Sequence, residues 1–214
     1  MSNDEELTFE RGEVDPIEAV KAHVEANFKA ALDAKRTQLE LAEGPFPNQW
    51  EVYAWGPWQE PFDPAKDPGR IIFSGETAYI GVAVWMNDEM CPDIVNHEDK
   101  IQLNFWTSNT QTMQPVPDLN YSCCITTEQD GPCFYVMVWE FTPNAPACLY
   151  ETNICARICN CQGHTLPRYA AFVRHVYDYD PSALWPDIPG WQFDRPIRYM
   201  VVDRKADCDC AEEC

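Results

Sequence analysis

Apolar residues recur every three or four positions near the N-terminus, between residues 16 and 42. This spacing places them on one face of an α-helix. Asp15 is suited to cap that helix and Pro16 to begin it, while Gly44 and Pro45 end the pattern. We therefore predict one long helix that packs either on its own chain or on a neighbouring subunit. The apolar stripe consists of Ile17, Val20, Val24, Phe28, Ala31 and Leu39.

From residue 70 onward the pattern changes to that of β-strands. The runs RIIFS and AYIGVAVWM are rich in β-branched and aromatic residues, as buried strands are. The run IQLNFWT alternates apolar and polar residues, which predicts a half-buried strand. YAAFVRHVYDY and PIRYMVVD add two more strands, although the first run is also compatible with a helix. About seven or eight strands with proline-rich connections predict a mainly β fold, a β-sandwich or barrel-like sandwich.

The segment YSCCITTEQDGPCFYVMVWEF contains two strand patterns around Asp130 and Gly131. An Asp-Gly pair between strands is a strong signal for a β-hairpin, in which the glycine takes a positive φ. The second arm is apolar on both faces, which is typical of a central strand. We therefore predict a hairpin here, and we expect Gly131→Val to destabilise the protein.

Between the helix and the first strand lies a segment rich in proline and tryptophan, GPFPNQWEVYAWGPWQEPFDPAKDPGR. Its six prolines exclude a regular helix and favour an ordered, irregular segment on the core. Its aromatic rings either pack beneath this segment or, if exposed, bind sugar rings or a proline-rich partner. These candidate partner- or ligand-binding residues are Trp50, Tyr53, Trp55 and Trp58.

The pattern divides the chain into two parts. Residues 1–45 hold an acidic N-terminus and the amphipathic helix, and residues 46–214 hold the β-sandwich domain with a cysteine-rich C-terminal tail. The 35 acidic and 15 basic residues give a formal net charge of −20, which argues against direct binding of nucleic acid. We also expect no membrane span, because no apolar run approaches the roughly 20 residues that a spanning helix needs. The acidic start MSNDEELTFERGE lacks the apolar region of a signal peptide, so we expect a cytoplasmic protein or one within a particle assembled there.

Eleven cysteines are the strongest chemical signal, and two clusters of them stand out. Either cluster is suited to ligate a structural zinc ion, to form disulfides, or to remain as thiols. We expect the two clusters to lie close together, because a disulfide or shared metal would fix an otherwise loosely held acidic tail. The other cysteines, Cys91, Cys123, Cys124, Cys133 and Cys148, are interpreted as small core residues. The clusters are Cys155, Cys159, Cys161 and His164 in the chain interior and Cys208, Cys210 and Cys214 in the tail.

No nucleophile elbow, phosphate-binding loop or zinc-protease motif occurs in the chain. The sequence therefore favours a non-catalytic structural or protein-interaction subunit of a larger assembly, which uses the N-terminal helix for docking or self-association. One alternative is a metal-binding protein or metal-dependent enzyme built on the cysteine–histidine cluster. Another is a small-ligand or glycan binder that uses exposed tryptophans.

Overall fold

The computed structural model of the protein describes residues 15–39, 50–59, 70–160, 165–179, 191–194 and 196–203. These residues form two β-sheets that pack face to face, with one long helix on the outside of the first sheet. The predicted mainly β sandwich with an N-terminal helix is thus confirmed. In chain order the elements are α1 (Pro16–Leu39), β1 (Trp50–Gln59), β2 (Ile71–Phe73), β3 (Ala78–Met86), α2 (Cys91–Asn96), β4 (Lys100–Asn109), β5 (Gln114–Pro115), a 3-10 turn (Pro117–Leu119), β6 (Tyr121–Thr126), β7 (Phe134–Phe141), β8 (Cys148–Cys159), β9 (Thr165–Phe172), β10 (Arg174–Tyr179), β11 (Trp191–Asp194) and β12 (Ile197–Val202).

Sheet A has the strand order β11-β10-β1-β3-β7, and sheet B has the order β2-β12-β8-β4-β5, with β6 also beside β4 and β9 also beside β8. Within the described ranges, two strand pairs are parallel, β1 with β10 and β12 with β2. The described residues form more strands than the sequence patterns suggested, because one run divides between the sheets and because β1, β5, β8 and β11 were not predicted as strands. The run YAAFVRHVYDY becomes β9 in sheet B and β10 in sheet A. The buried Val173 lies at this crossing.

The core between the sheets follows from alternation along the strands. In β4 the side chains of Ile101, Leu103 and Phe105 are buried, whereas Gln102 and Asn104 are half-buried on the opposite side, as predicted. Burying such side chains contributes roughly 1.5–3 kcal/mol each, so this interior is the main source of stability. Within the described residues, no helix combines the length and apolar character needed to cross a membrane.

Helix α1 covers the outer face of sheet A. Asp15 caps it as predicted, because its Oδ1 accepts a hydrogen bond from the backbone N–H of Ile17 at 3.0 Å. Val20, Val24 and Phe28 are at most 1% exposed, since they pack on the strands of sheet A. The described part of the apolar stripe is therefore buried against the protein's own sheet. The predicted end of the helix at residue 42 lies outside the described residues, in which α1 ends at Leu39.

The proline- and tryptophan-rich segment forms a regular strand over part of its length, which corrects the prediction of an irregular segment. Residues Trp50–Gln59 make up β1, near the middle of sheet A. The strand absorbs Pro57 through a register shift between Trp55 and Trp58. Gly56 has a φ of 115° there, and a Cβ at this position would lie 2.7 Å from the backbone oxygen of Tyr79. A glycine at this bulge thus lets a proline-containing run remain inside the sheet.

The predicted hairpin around Asp130 and Gly131 is wrong. Strand β6 pairs with β4 in sheet B, whereas β7 pairs with β3 in sheet A, so the intervening loop crosses between the sheets. A turn does form, because Gly131 N–H donates to the Glu128 carbonyl oxygen at 2.8 Å. The positive φ, however, belongs to Asp130, at 58°. The local turn signal was correct, but it did not determine which strands are paired.

Strand β7 is an edge strand of sheet A, not the predicted central strand. Its two faces are both apolar because each meets a different layer. Trp139 and Phe141 pack in the core between the sheets, whereas Phe134, Val136 and Val138 pack in the cluster beneath α1. The apolar run therefore indicates that both faces of the strand are buried. A covering helix can bury one of these faces as well as a neighbouring sheet can.

Candidate functional site: the outer face of sheet B

Strand β8 places two of the predicted metal ligands, Cys155 and Cys159, on one side of sheet B. They are four residues apart along a strand, which separates their Cα atoms by roughly 13 Å. The part of the chain that the structure describes contains no group of three or more histidine, cysteine or acidic side chains positioned to hold a metal ion. The remaining predicted ligands, Cys161, His164, Cys208, Cys210 and Cys214, lie outside the described residues.

Two cysteines interpreted as separate core residues instead form a disulfide. Cys91, at the start of α2, is bonded to Cys133, which directly precedes β7, and their Cα atoms are 5.5 Å apart. This bond ties the crossing loop to the connection between β3 and β4. Cys148 is buried as predicted, and Cys123 packs against the core, but Cys124 is exposed on the other face of β6. Adjacent residues of a strand point to opposite faces, so only one of this pair reaches the core.

Three of the four candidate binding aromatics are buried under α1. Tyr53, Trp55 and Trp58 are 1%, 3% and 4% exposed, and the ring of Phe28 lies 5.7 Å from that of Tyr53. Trp50 is partly buried and packs against the core between the sheets. These rings form the contact between helix and sheet, and the burial of the first three leaves them no open side for a sugar or peptide.

The outer face of sheet B, termed here the open face, has no described element packed on it. It comprises the outward side chains of β2, β12, β8, β4 and β6. At one end, Ile71, Met200 and Leu149 lie directly opposite one another on three neighbouring strands. They are 60%, 43% and 37% exposed. An aliphatic row of this kind across adjacent strands is a contiguous apolar patch, which differs from a scatter of single exposed residues.

Further along the open face, Trp106 is 49% exposed and lies opposite Asn153. Beyond it the face is polar and its side chains are linked by hydrogen bonds. The Nε of Arg157 donates to Oε1 of Gln102 at 2.8 Å, and the hydroxyl of Ser122 donates to Oδ1 of Asn104 at 2.9 Å. Along its length the face therefore changes from the aliphatic row, through the ion pair of Glu151 and Arg198, to Trp106 and then to hydrogen-bonding side chains.

The charge of the open face is opposite in sign to that of the whole chain. Its strand positions carry three bases and one acid, Glu151, which lies 3.3 Å from Arg198. The other two bases, Lys100 and Arg157, lie at the far end, opposite Cys159 and Gln102. A face with two net positive charges in a chain of net charge −20 is a local departure from the acidic surface.

Burial raises the pKa of two thiols and one phenol in and behind this sheet. Burial raises the pKa of the Cys155 thiol, and the nearby Arg157 charge only partly opposes this. Burial, reinforced by Cys124, raises the pKa of Cys123 to about 11. Burial raises the pKa of Tyr199 to about 12, although hydrogen bonds with threonine hydroxyls oppose this. Thiols and phenols that stay protonated at neutral pH are poor nucleophiles.

The residues that define the open face were not among the site residues that the sequence predicted. The alternation in IQLNFWT could have placed Trp106 outward, since Phe105 points inward. The row of Ile71, Leu149 and Met200 could not be found this way, because the three residues are far apart in sequence and meet only through strand register.

No protein-family model matches the chain, and no curated protein does. Solved structures with partial similarity include the CARDB domain of a protein from Pyrococcus furiosus, in complex with di-metal ions. That match has 11% identity and a TM-score of 0.31 and covers 76% of this chain and 96% of that domain. They also include a β-glucosidase from Listeria innocua in complex with isofagomine, at 9% identity and a TM-score of 0.31, with coverage of 62% of this chain and 17% of the enzyme. Likeness at this level carries no argument about function.

Proposed function

We propose that the protein is a non-catalytic structural or interaction subunit that docks onto a protein partner through the open face of sheet B. The observation that supports this most directly is the exposed row of Ile71, Leu149 and Met200, with Trp106 further along the same face. Exposed contiguous apolar patches on a soluble sandwich are typical of interaction surfaces.

The size of the face fits this role. Strand β8 has 12 residues, so the face extends about 40 Å along the strand direction. Three central strands span about 15 Å across, which gives roughly 600 Å². That approaches the roughly 800 Å² that each partner buries in a standard interface. Trp106 also belongs to a residue type that often dominates binding energy at interfaces.

The proposed docking surface lies on sheet B, whereas the sequence had suggested the N-terminal helix. The apolar stripe of α1 suggested that the helix docks on a partner. This stripe already contacts the protein's own sheet, because Val20, Val24 and Phe28 are buried against sheet A. A helix whose apolar face is buried within its own chain has less apolar surface to bury against a second protein. The open face retains its apolar residues in an exposed state.

A position-resolved crosslinking experiment tests the proposal. A photoreactive phenylalanine derivative is introduced at Leu149 or Met200, and as a control at the exposed Thr142, which follows β7 in sheet A. We expect discrete protein adducts from the first two positions in the native cell, none from Thr142, and loss of the Leu149 adduct when Met200→Lys is added. Equal labelling at all three positions, or no adduct from sheet B, would contradict the proposal.

A further inference from the structure

We infer that the docking partner lays an extended segment along the open face, with apolar side chains at one end and carboxylates at the other, and that Lys100 and Arg157 bind these carboxylates. The inference rests on the proposed function and deepens it, because it names the chemistry of the partner. Its support comes from the charge of two side chains, from a hydrogen bond that holds one of them, and from the distance between these cations and the aliphatic row.

The two cations lie side by side at one end of the open face. Lys100 on β4 is opposite Cys159 on β8, and Arg157 on β8 is opposite Gln102 on β4. Lys100 and Arg157 are therefore diagonal neighbours on the same side of the sheet, with Cα atoms roughly 7–8 Å apart. Both side chains are half-buried, and no carboxylate of the described residues forms an ion pair with either. Long side chains at this spacing can bind one anion together.

The guanidinium of Arg157 is held in place by Gln102. Oε1 of Gln102 accepts a hydrogen bond from Nε of Arg157 at 2.8 Å, and Nε2 of Gln102 donates to the hydroxyl of Ser122 at 3.4 Å. Within the part of the chain that the structure describes, the two Nη groups of Arg157 have no hydrogen-bond partner. An oriented guanidinium presents parallel N–H donors that match the two oxygens of a carboxylate.

The surrounding charge makes this end of the face selective for a carboxylate. The net charge of −20 repels an acidic segment from the chain as a whole. Among the described outward strand positions of the open face, the one acid is Glu151, which pairs with Arg198 and lies six residues from Arg157, or about 20 Å. This distance exceeds the screening length of about 8 Å at physiological ionic strength, so Glu151 does not oppose binding at the two cations. They therefore set the register in which an acidic segment docks.

The spacing of the two ends fits an extended segment. Leu149 in the aliphatic row and Arg157 are eight residues apart on β8, which is about 26 Å. Outward positions of a strand repeat every two residues, as do the side chains on one side of an extended peptide. A segment of about nine residues thus reaches from the row to the cations. It passes Trp106 half-way, because Asn153, opposite Trp106, is four residues from each end.

The test measures the binding of labelled peptides to the purified full chain by fluorescence anisotropy. The probe is a peptide of about nine residues with two leucines at one end, a tyrosine in the middle and two glutamates at the other end, made in both orders along the chain. We expect at least one order to bind, and we expect glutamine in place of both glutamates to weaken binding several-fold.

Substitutions of the protein locate the carboxylate contact. Lys100→Gln and Arg157→Gln should each weaken the glutamate peptide several-fold and leave the glutamine peptide unchanged. Gln102→Leu should reduce the preference for glutamate over glutamine, because Nε of Arg157 loses its acceptor. Lys21→Gln is the matched control, because it removes the same charge from α1, on the far side of the sandwich, and it should have little effect.

Three results would overturn the inference. They are equal affinity for the glutamate and glutamine peptides, no binding of either order at millimolar concentration, and displacement of the peptide by a single-stranded oligonucleotide that needs Lys100 and Arg157. Crosslinking from Leu149 in the cell tests the docking function separately. Its adduct should fall several-fold when Lys100→Gln and Arg157→Gln are combined. An unchanged adduct would leave the docking function standing and refute the acidic segment.

Discussion

The two outer faces of the sandwich are both formed by β-strands, but α1 covers the face of sheet A and no described element covers the face of sheet B. On sheet A, the outward side chains of β1, β3 and β7 are largely apolar, and they pack with α1 in one cluster. On sheet B, the outward side chains are mostly polar or cationic, with an exposed aliphatic row at one end, and no described element covers them. The close packing of the helix on sheet A depends in part on Gly81 of β3, where a Cβ would lie 2.6 Å from Cγ2 of Val24. The missing side chain at Gly81 lets the helix approach the sheet closely, and the covered face thereby contributes to stability.

The largest expected difference between the two faces comes from truncating one buried and one exposed apolar residue. Phe28→Ala should lower the free energy of unfolding by about 3–5 kcal/mol, because Phe28 packs among the rings of Tyr53, Trp55 and Phe134. Met200→Ala on the open face should change it by less than about 0.5 kcal/mol. Urea denaturation monitored by tryptophan fluorescence measures both. Similar losses for the two variants would mean that the open face is also covered.

A second experiment tests whether α1 and β3 are in direct contact at Gly81. Gly81→Ala should cost about 1–3 kcal/mol, because the added methyl group overlaps Val24. Val24→Ala alone should also destabilise the protein by leaving a cavity. The double variant should lose less than the sum of the two single variants, since each change makes room for the other. Strict additivity in a denaturation cycle would contradict direct contact between helix and sheet at this position.

The crossing loop between the two sheets gives a smaller effect. Gly131→Ala should destabilise by about 1 kcal/mol, because its Cβ would lie 2.7 Å from the Glu128 carbonyl oxygen. Asp130→Gly is the control and should be tolerated within about 0.5 kcal/mol, since Asp130 already has the positive φ that glycine adopts easily. The reverse ranking in thermal or urea unfolding would contradict both the positive φ at Asp130 and the close contact at Gly131.

The smallest effect distinguishes the inner and outer faces of a single strand, β6. Cys124 is exposed and should react with a thiol reagent at pH 8, whereas Cys123 should stay unmodified in the folded protein. Burial raises the pKa of Cys123 from 9.0 to about 11, so its thiolate forms in the unfolded chain before it forms in the native state. The stability that depends on the protonated thiol is therefore present below pH 9 and is lost as pH rises toward 11. Mass spectrometry of labelled peptides across this range checks the order, and equal labelling at pH 8 would refute it.

The sequence alone determined the features that depend on neighbouring residues. The spacing of Val20, Val24 and Phe28 and the cap at Asp15 predicted the helix, and the alternation of Ile101, Leu103 and Phe105 predicted which side of β4 is buried. Local propensity and periodicity are sufficient for such features, because each is decided within one or two turns or a single strand.

Only the tertiary structure decided which strands meet and which faces are covered. The signal at Asp130 and Gly131 specified a turn, but the pairing of β6 with β4 and of β7 with β3 set the two arms in different sheets. The open face could not be predicted from the sequence for the same reason, because Ile71, Leu149 and Met200 become neighbours only through strand register. Strand pairing depends on contacts between residues far apart in the chain, and the buried area gained there outweighs local preference.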